Sequence, residues 1–125
     1  MAATKLDGAG AQKMKTLEEA LLTLTKANAM VERAAVDMKA NRPLGPLPLQ
    51  LKRIFVPMQG QLKGQFGMIA DQVANFILGM TRGGGGDQGK IRMMREGLAM
   101  IRQAIDFAAT KVKNDHAVAI DIAPD

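Results

Sequence analysis

Residues 48–82 read PLQLKRIFVPMQGQLKGQFGMIADQVANFILGMTR, and this stretch decides the fold. Its large apolar residues recur in steps of three and four, which is the period of one face of an α-helix. That face consists of Leu51, Phe55, Met58, Leu62, Phe66, Ile69, Val73, Phe76 and Met80. We therefore predict one long central helix. A kink is expected near residues 53–56, because Pro57 lacks an amide hydrogen and clashes with the preceding turn.

Three glycines, Gly60, Gly64 and Gly67, lie on the opposite side of this predicted helix. Each costs about 1 kcal/mol relative to alanine in a helix interior. Two interpretations stay open at this point. Another helix approaches closely along the glycines, or these turns are loosely packed.

A first helix is predicted over residues 17–40, because Thr16 and Glu19 have the spacing of a capping box. Its apolar face follows a heptad pattern that places Asn28 at an a-like position. A buried asparagine there would fix the register of a coiled coil, whereas an asparagine at the edge of a bundle would be solvated. A bundle is favoured by a second stripe that widens the face. The two stripes are Leu17, Leu21, Leu24, Asn28, Val31, Ala35 and Met38, and Ala20, Ala27 and Ala34.

A third helix follows the glycines at positions 83–86, with Asp87 as its predicted N-cap and an end near Lys113. Its core face is Ile91, Met94, Leu98, Ile101, Ile105, Ala108 and Val112. The predicted fold is an all-α, antiparallel three-helix bundle over residues 16–113 with a Pro-kinked central helix. Self-association is expected to complete it, because apolar residues such as Leu22, Met30, Ile77 and Met93 exceed what three helices need to cover one another.

The two ends of the chain are predicted to lie outside the bundle. Residues 1–15 are small and polar, which is typical of a flexible leader. Residues 114–125 form an acidic tail in which Val118, Ile120 and Ile122 alternate with other residues. That alternation is strand-like, so the tail is either disordered or adds a strand to a partner or a second copy. Without a long apolar run or a signal peptide, the sequence predicts a cytoplasmic protein with no membrane contact.

The charge distribution indicates a basic surface. The formal charge is +5, and residues 38–113 carry twelve basic and four acidic groups. Candidate contacts for nucleic acid or an acidic partner are Lys52, Arg53, Lys63, Arg92, Arg95 and Arg102. Binding would be to the nucleic-acid backbone, because the sequence offers no exposed aromatic residue for base stacking. A solvated rim with acidic neighbours is the alternative interpretation.

The composition excludes most enzyme chemistry. The chain has no Cys, Ser or Tyr and a single histidine, His116, which is expected to be solvent-exposed. Residues 84–90, GGGDQGK, have the spacing of a phosphate-binding loop. Ile91 stands where that motif needs Ser or Thr, and no strand precedes the loop. No catalytic residue, metal site or cofactor is therefore predicted.

The sequence favours a non-enzymatic helical interaction or assembly module, which binds a protein partner or itself through helix faces. Candidate packing or interface residues are Asn28, Gly60, Gly64, Gly67, Met93 and Met100. The alternative is an accessory subunit that binds the RNA or DNA backbone through the basic face. A small-molecule sensor with an apolar pocket beside Pro57 is a third class, which no specific residue supports.

Overall fold

The computed structural model describes residues 4–82 and 86–119. Four helices form the body: α1 (Gly8–Lys39), α2 (Leu47–Lys63), α3 (Gly67–Thr81) and α4 (Asp87–Asp115). Two short strands, β1 (Thr4–Leu6) and β2 (Ala117–Ala119), pair antiparallel beside the bundle. The predicted all-helical class is confirmed for the body of the chain.

Each helix packs against two neighbours in a ring. α1 lies against α4 and α2, and α3 lies against α2 and α4. Contacts at the two ends show that successive helices run antiparallel. The Thr16 hydroxyl of α1 donates to Gln65 after α2 over 3.3 Å. At the opposite end, the Leu44 amide donates to Asp87 of α4 over 3.3 Å.

The prediction of one central helix, and so of three helices, was wrong because the chain turns back at residues 64–66. The amides of Gln65 and Phe66 both donate to the Leu62 carbonyl, which ends α2. The glycines on either side lower helix propensity at this point. Pro57 lies inside α2, which continues through it, and a kink there stays a prediction.

The three–four spacing of apolar residues continues unchanged through the turn between α2 and α3. It does so because both helices of this α2–α3 hairpin pack the same face against one core. Every residue of the predicted central face is buried except Phe66, which is half-buried. Phe55 and Phe76 meet edge to face across the hairpin, with ring centroids 5.2 Å apart. Such pairs add about 0.5–1.5 kcal/mol beyond area burial.

The first helix begins well before its predicted start. α1 starts at Gly8, with Asp7 as its N-cap, so residues 8–15 of the predicted leader belong to the first helix. The Asp7 carboxylate accepts the Gly10 amide over 2.6 Å. Thr16 is not a cap, since its hydroxyl donates to a carbonyl one turn earlier within α1. Residues 1–3 lie outside the described part of the chain.

The core of α1 also differs in detail from the predicted heptad. The buried apolar side chains are Leu17, Ala20, Leu24, Ala27 and Val31, so the alanine stripe lies nearer the centre of the face. Leu21 and Asn28 are half-buried at the edge of the bundle. This placement agrees with the solvated-edge interpretation of the asparagine.

The last helix follows its predicted face closely. The predicted core residues of α4 are buried, except Ala108, which is half-buried. Gly86 is the N-cap of α4, and Asp87 instead accepts the Leu44 amide from the α1–α2 loop. The prediction of Asp87 as N-cap was therefore wrong.

The tail forms its strand with the chain's own N-terminus. Leu6 lies opposite Ala117, and Thr4 lies opposite Ala119. Ala117–Ala119 forms its strand on an edge of the same chain, so addition of the tail to a partner or a second copy stays a prediction. The predicted strand residues Ile120 and Ile122 lie outside the described residues.

Candidate interaction surface

An open apolar groove of about 750 Å³ lies on the outside of the bundle where the start of α3 meets the second half of α4. We call this surface, together with its continuation toward the start of α4, the α3–α4 groove. Its continuation passes Asn75, Gly79, Met93 and Gly97. The side chains that shape the wider part are Phe66, Met68, Gln72, Met100, Ala104 and Phe107.

Two stripes with heptad spacing form the walls of this groove. The α4 stripe comprises Met93, Gly97, Met100, Ala104, Phe107 and Lys111, in steps of 4, 3, 4, 3 and 4. The α3 stripe comprises Met68, Gln72, Asn75 and Gly79, in steps of 4, 3 and 4. Each stripe adjoins the buried face of its helix. Such spacing on neighbouring helices is the pattern that receives a further helix.

Three large apolar side chains of the groove are exposed to solvent. The exposed fraction is 85% for Met68, 60% for Met100 and 76% for Phe107. They are exposed because the four-helix core is complete without them: each lies beside the core face of its helix. Large apolar residues gathered in a groove are the usual mark of a contact surface, whereas isolated ones are ordinary.

The two methionines predicted as interface residues both lie at this groove. Met100 is exposed on its wall, and Met93 is half-buried against Gly79. The Met93 sulfur would lie 3.6 Å from a β-carbon placed at Gly79.

The glycine stripe does not serve for close helix packing within residues 4–82 and 86–119. A β-carbon at Gly60, Gly64 or Gly67 would have no neighbour within 4 Å in that part of the chain. Close approach occurs instead at Gly97, where a β-carbon would overlap the ring of Phe76. Sequence reasoning missed this glycine because its neighbour comes from another helix.

Phe107 was missed as well. The expectation of no exposed aromatic residue was wrong, because Phe107 falls outside the core heptad of α4. Its spacing of seven residues from Met100 was the signal that could have found it.

The basic residues do not form one face. Arg92, Arg95 and Arg102 are exposed on α4, whereas Lys52, Arg53 and Lys63 are exposed on α2. α2 and α4 are not neighbours in the ring, since each packs chiefly on α1 and α3. The structure therefore separates the predicted contact set into two groups.

One member of the α4 group is engaged in an ion pair. Two nitrogens of Arg95 donate to the two carboxylate oxygens of Glu32, each over 2.7 Å. This fork lowers the pKa of Glu32 and raises the pKa of Arg95. A guanidinium whose N–H groups are paired with a carboxylate is less available to bind a phosphate.

The single histidine lies at the end of the bundle where the start of α1 meets the end of α4. His116 Nδ1 lies 3.1 Å from Asp7 Oδ1, and the Lys13 ammonium lies 3.2 Å from Nε2. An ammonium only donates, so the Lys13 contact requires the tautomer in which Nε2 accepts and Nδ1 donates to Asp7. The Gly10 amide, and then His116, hold the pKa of Asp7 below its usual value. The His116 side chain is 19% exposed, so the prediction of a solvent-exposed histidine was wrong.

Comparison with protein-family models, with curated proteins and with solved structures gave no match. Among the described residues, none of the helices has the length and apolar character needed to cross a membrane.

Proposed function

We propose that this protein is a non-enzymatic helical assembly module that binds a helix in the α3–α4 groove. The observation that carries the proposal is the cluster of exposed Met68, Met100 and Phe107 between two heptad stripes. A helix laid along the groove would bury these side chains, and burying each stabilises a complex by about 1.5–3 kcal/mol. Methionine suits such a surface because its flexible side chain adapts to a partner.

The alternative, binding to the RNA or DNA backbone, has less support. Its candidate residues belong to two separate helices, and Arg95 is paired with Glu32. Backbone binding would be strongly salt-dependent. Removal of Arg92 and Arg102 together should abolish retention on heparin if this alternative operates.

A photo-crosslinking amino acid at Phe107, with the same group at Val36 as the control, tests the assembly proposal. Val36 is 65% exposed on α1, away from the groove. We expect a discrete adduct from position 107 whose partner, once purified, forms a stoichiometric complex with this chain. The partner is either another protein or a second copy. Equal or absent crosslinking at the two positions would contradict the proposal.

A further inference from the structure

We infer that the occupant of the α3–α4 groove is the α4 helix of a second copy of this chain, packed antiparallel about a two-fold axis. This inference rests on the proposed function, since it names the partner of the same groove. It comes from the order of the α4 residues that line the groove and have a symmetry-related counterpart on the same helix. That order is Glu96, Met100, Gln103, Ala104, Phe107 and Lys111.

The face of α4 is self-complementary in charge and in apolar character. The midpoint of this face lies between Gln103 and Ala104. A two-fold axis there brings Met100 opposite Phe107 of the second copy and, by symmetry, Phe107 opposite its Met100. The same rotation brings Glu96 opposite Lys111, and it does so twice. An isologous contact requires this kind of match between a surface and itself.

The polarity of the two helices follows from the same charges. A parallel arrangement would oppose Glu96 to Glu96 and Lys111 to Lys111, which is unfavourable on both ends. Neither residue forms an ion pair within the described part of the chain, so both are available to a second copy. The antiparallel arrangement therefore buries the apolar side chains and pairs opposite charges in the same geometry.

The α3 stripe would lie along the edge of this contact between the two α4 helices. Met68 is 85% exposed beside Phe107, and it would cover the edge of the incoming helix. Gln72 on α3 and Gln103 on α4 line the same groove and carry amides that can bond at its rim. Such an apolar centre with a polar border is the usual anatomy of a protein interface.

A cysteine at position 104 tests the axis directly, because the natural chain has no Cys. In the proposed dimer the two copies of residue 104 are offset by only about 1.5 Å along the helix axes. We expect Ala104→Cys to form an intermolecular disulfide on mild oxidation. Val36→Cys, an exposed position on α1, is the control and should run as a monomer on a non-reducing denaturing gel.

Charge exchange tests the register. Glu96→Lys or Lys111→Glu alone sets like charges against each other at two symmetric contacts. The dissociation constant of the dimer should therefore rise about tenfold in each variant. The double exchange, Glu96→Lys with Lys111→Glu, restores opposite charges and should restore the dimer. Sedimentation velocity over a dilution series measures the dissociation constant. Circular dichroism checks that each variant remains helical.

Two results would overturn the inference. One is a chain that stays monomeric at every concentration, and the other is a dimer that neither crosslinks at position 104 nor recovers in the double exchange. The photo-crosslink at Phe107 separates these failures from failure of the proposed function. An adduct with a different protein would leave the groove as a binding site and exclude the second copy.

Discussion

Gly97 provides the sharpest test of how α3 and α4 pack. A β-carbon at this position would overlap Cδ1 and Cε1 of Phe76, whose side chain is only 8% exposed. In Gly97→Ala the ring must therefore move. That movement disturbs its edge-to-face contact with Phe55 on α2. Gly60→Ala is the matched control, because a β-carbon there would meet no described atom within 4 Å.

The expected change in unfolding free energy has opposite signs at the two glycines. Alanine gains about 1 kcal/mol over glycine in a helix interior, so Gly60→Ala should be stabilised by that amount. In Gly97→Ala the same gain is offset by roughly 1–3 kcal/mol of overpacking. Loss of the aromatic contact costs a further ~1 kcal/mol. We expect a net destabilisation of about 1–3 kcal/mol, and a separation of about 2–4 kcal/mol between the variants.

Urea unfolding followed by far-UV circular dichroism, at one fixed protein concentration, measures both values. A second variant removes ambiguity about the cause. In a Phe76→Leu background the ring is absent, so Gly97→Ala should lose most of its penalty. The coupling energy in this double-mutant cycle should be about 2–3 kcal/mol. Equal stabilisation by alanine at both glycines would refute the close approach of α4 to Phe76.

Three other perturbations test separate contacts. Asp7→Asn should lower Tm at neutral pH and make little difference in acid. The folded-state pKa of Asp7 lies below its usual 3.8, so its contribution is present above 3.8 and is lost as pH falls through the folded value. Arg95→Gln should raise the pKa of Glu32 toward its ordinary value in an NMR titration. Leu98→Ala, at 1% exposure, should cost about 2–5 kcal/mol in urea unfolding, whereas Leu22→Ala, at 71%, should cost less than about 0.5.

Each of these has an outcome that would count against it. A pH-independent Tm difference for Asp7→Asn would mean that the carboxylate charge does not stabilise the start of α1. An unchanged Glu32 titration would mean that the fork to Arg95 does not persist in solution. Equal losses at Leu98 and Leu22 would contradict the assignment of the α4 core face.

The core faces could be predicted from the sequence, whereas the chain reversal at residues 64–66 could not. The three–four period identifies which residues of the hairpin and of α4 are buried. The same spacing continues through the turn between Leu62 and Ile69, so it does not indicate that this segment forms two helices. Glycines near the turn were visible, but their pattern could equally indicate close packing.

Contacts between distant parts of the chain account for the remaining errors. The start of α1 depends on Asp7 accepting the Gly10 amide and on His116 closing over the same turn. In the sequence, Gly8 and Gly10 lie in a short polar stretch, which did not indicate that a helix begins there. The exposure of Phe107 depends on the four-helix core being complete without it. The two methionines of α4 could be singled out as outside the heptad, but the groove itself arises only when α3 folds back beside them.

Methionine oxidation is the most direct measurement of whether the α3–α4 groove is a contact surface. In the isolated chain Met68 and Met100 are exposed, while Met58 and Met94 are at most 2% exposed. We predict that mild peroxide, read by mass spectrometry, oxidises the first pair rapidly in dilute purified protein. In the native host, and in concentrated protein if a second copy binds, both should be protected to nearly the level of the buried pair. Rapid oxidation of Met68 and Met100 under all of these conditions would contradict the account.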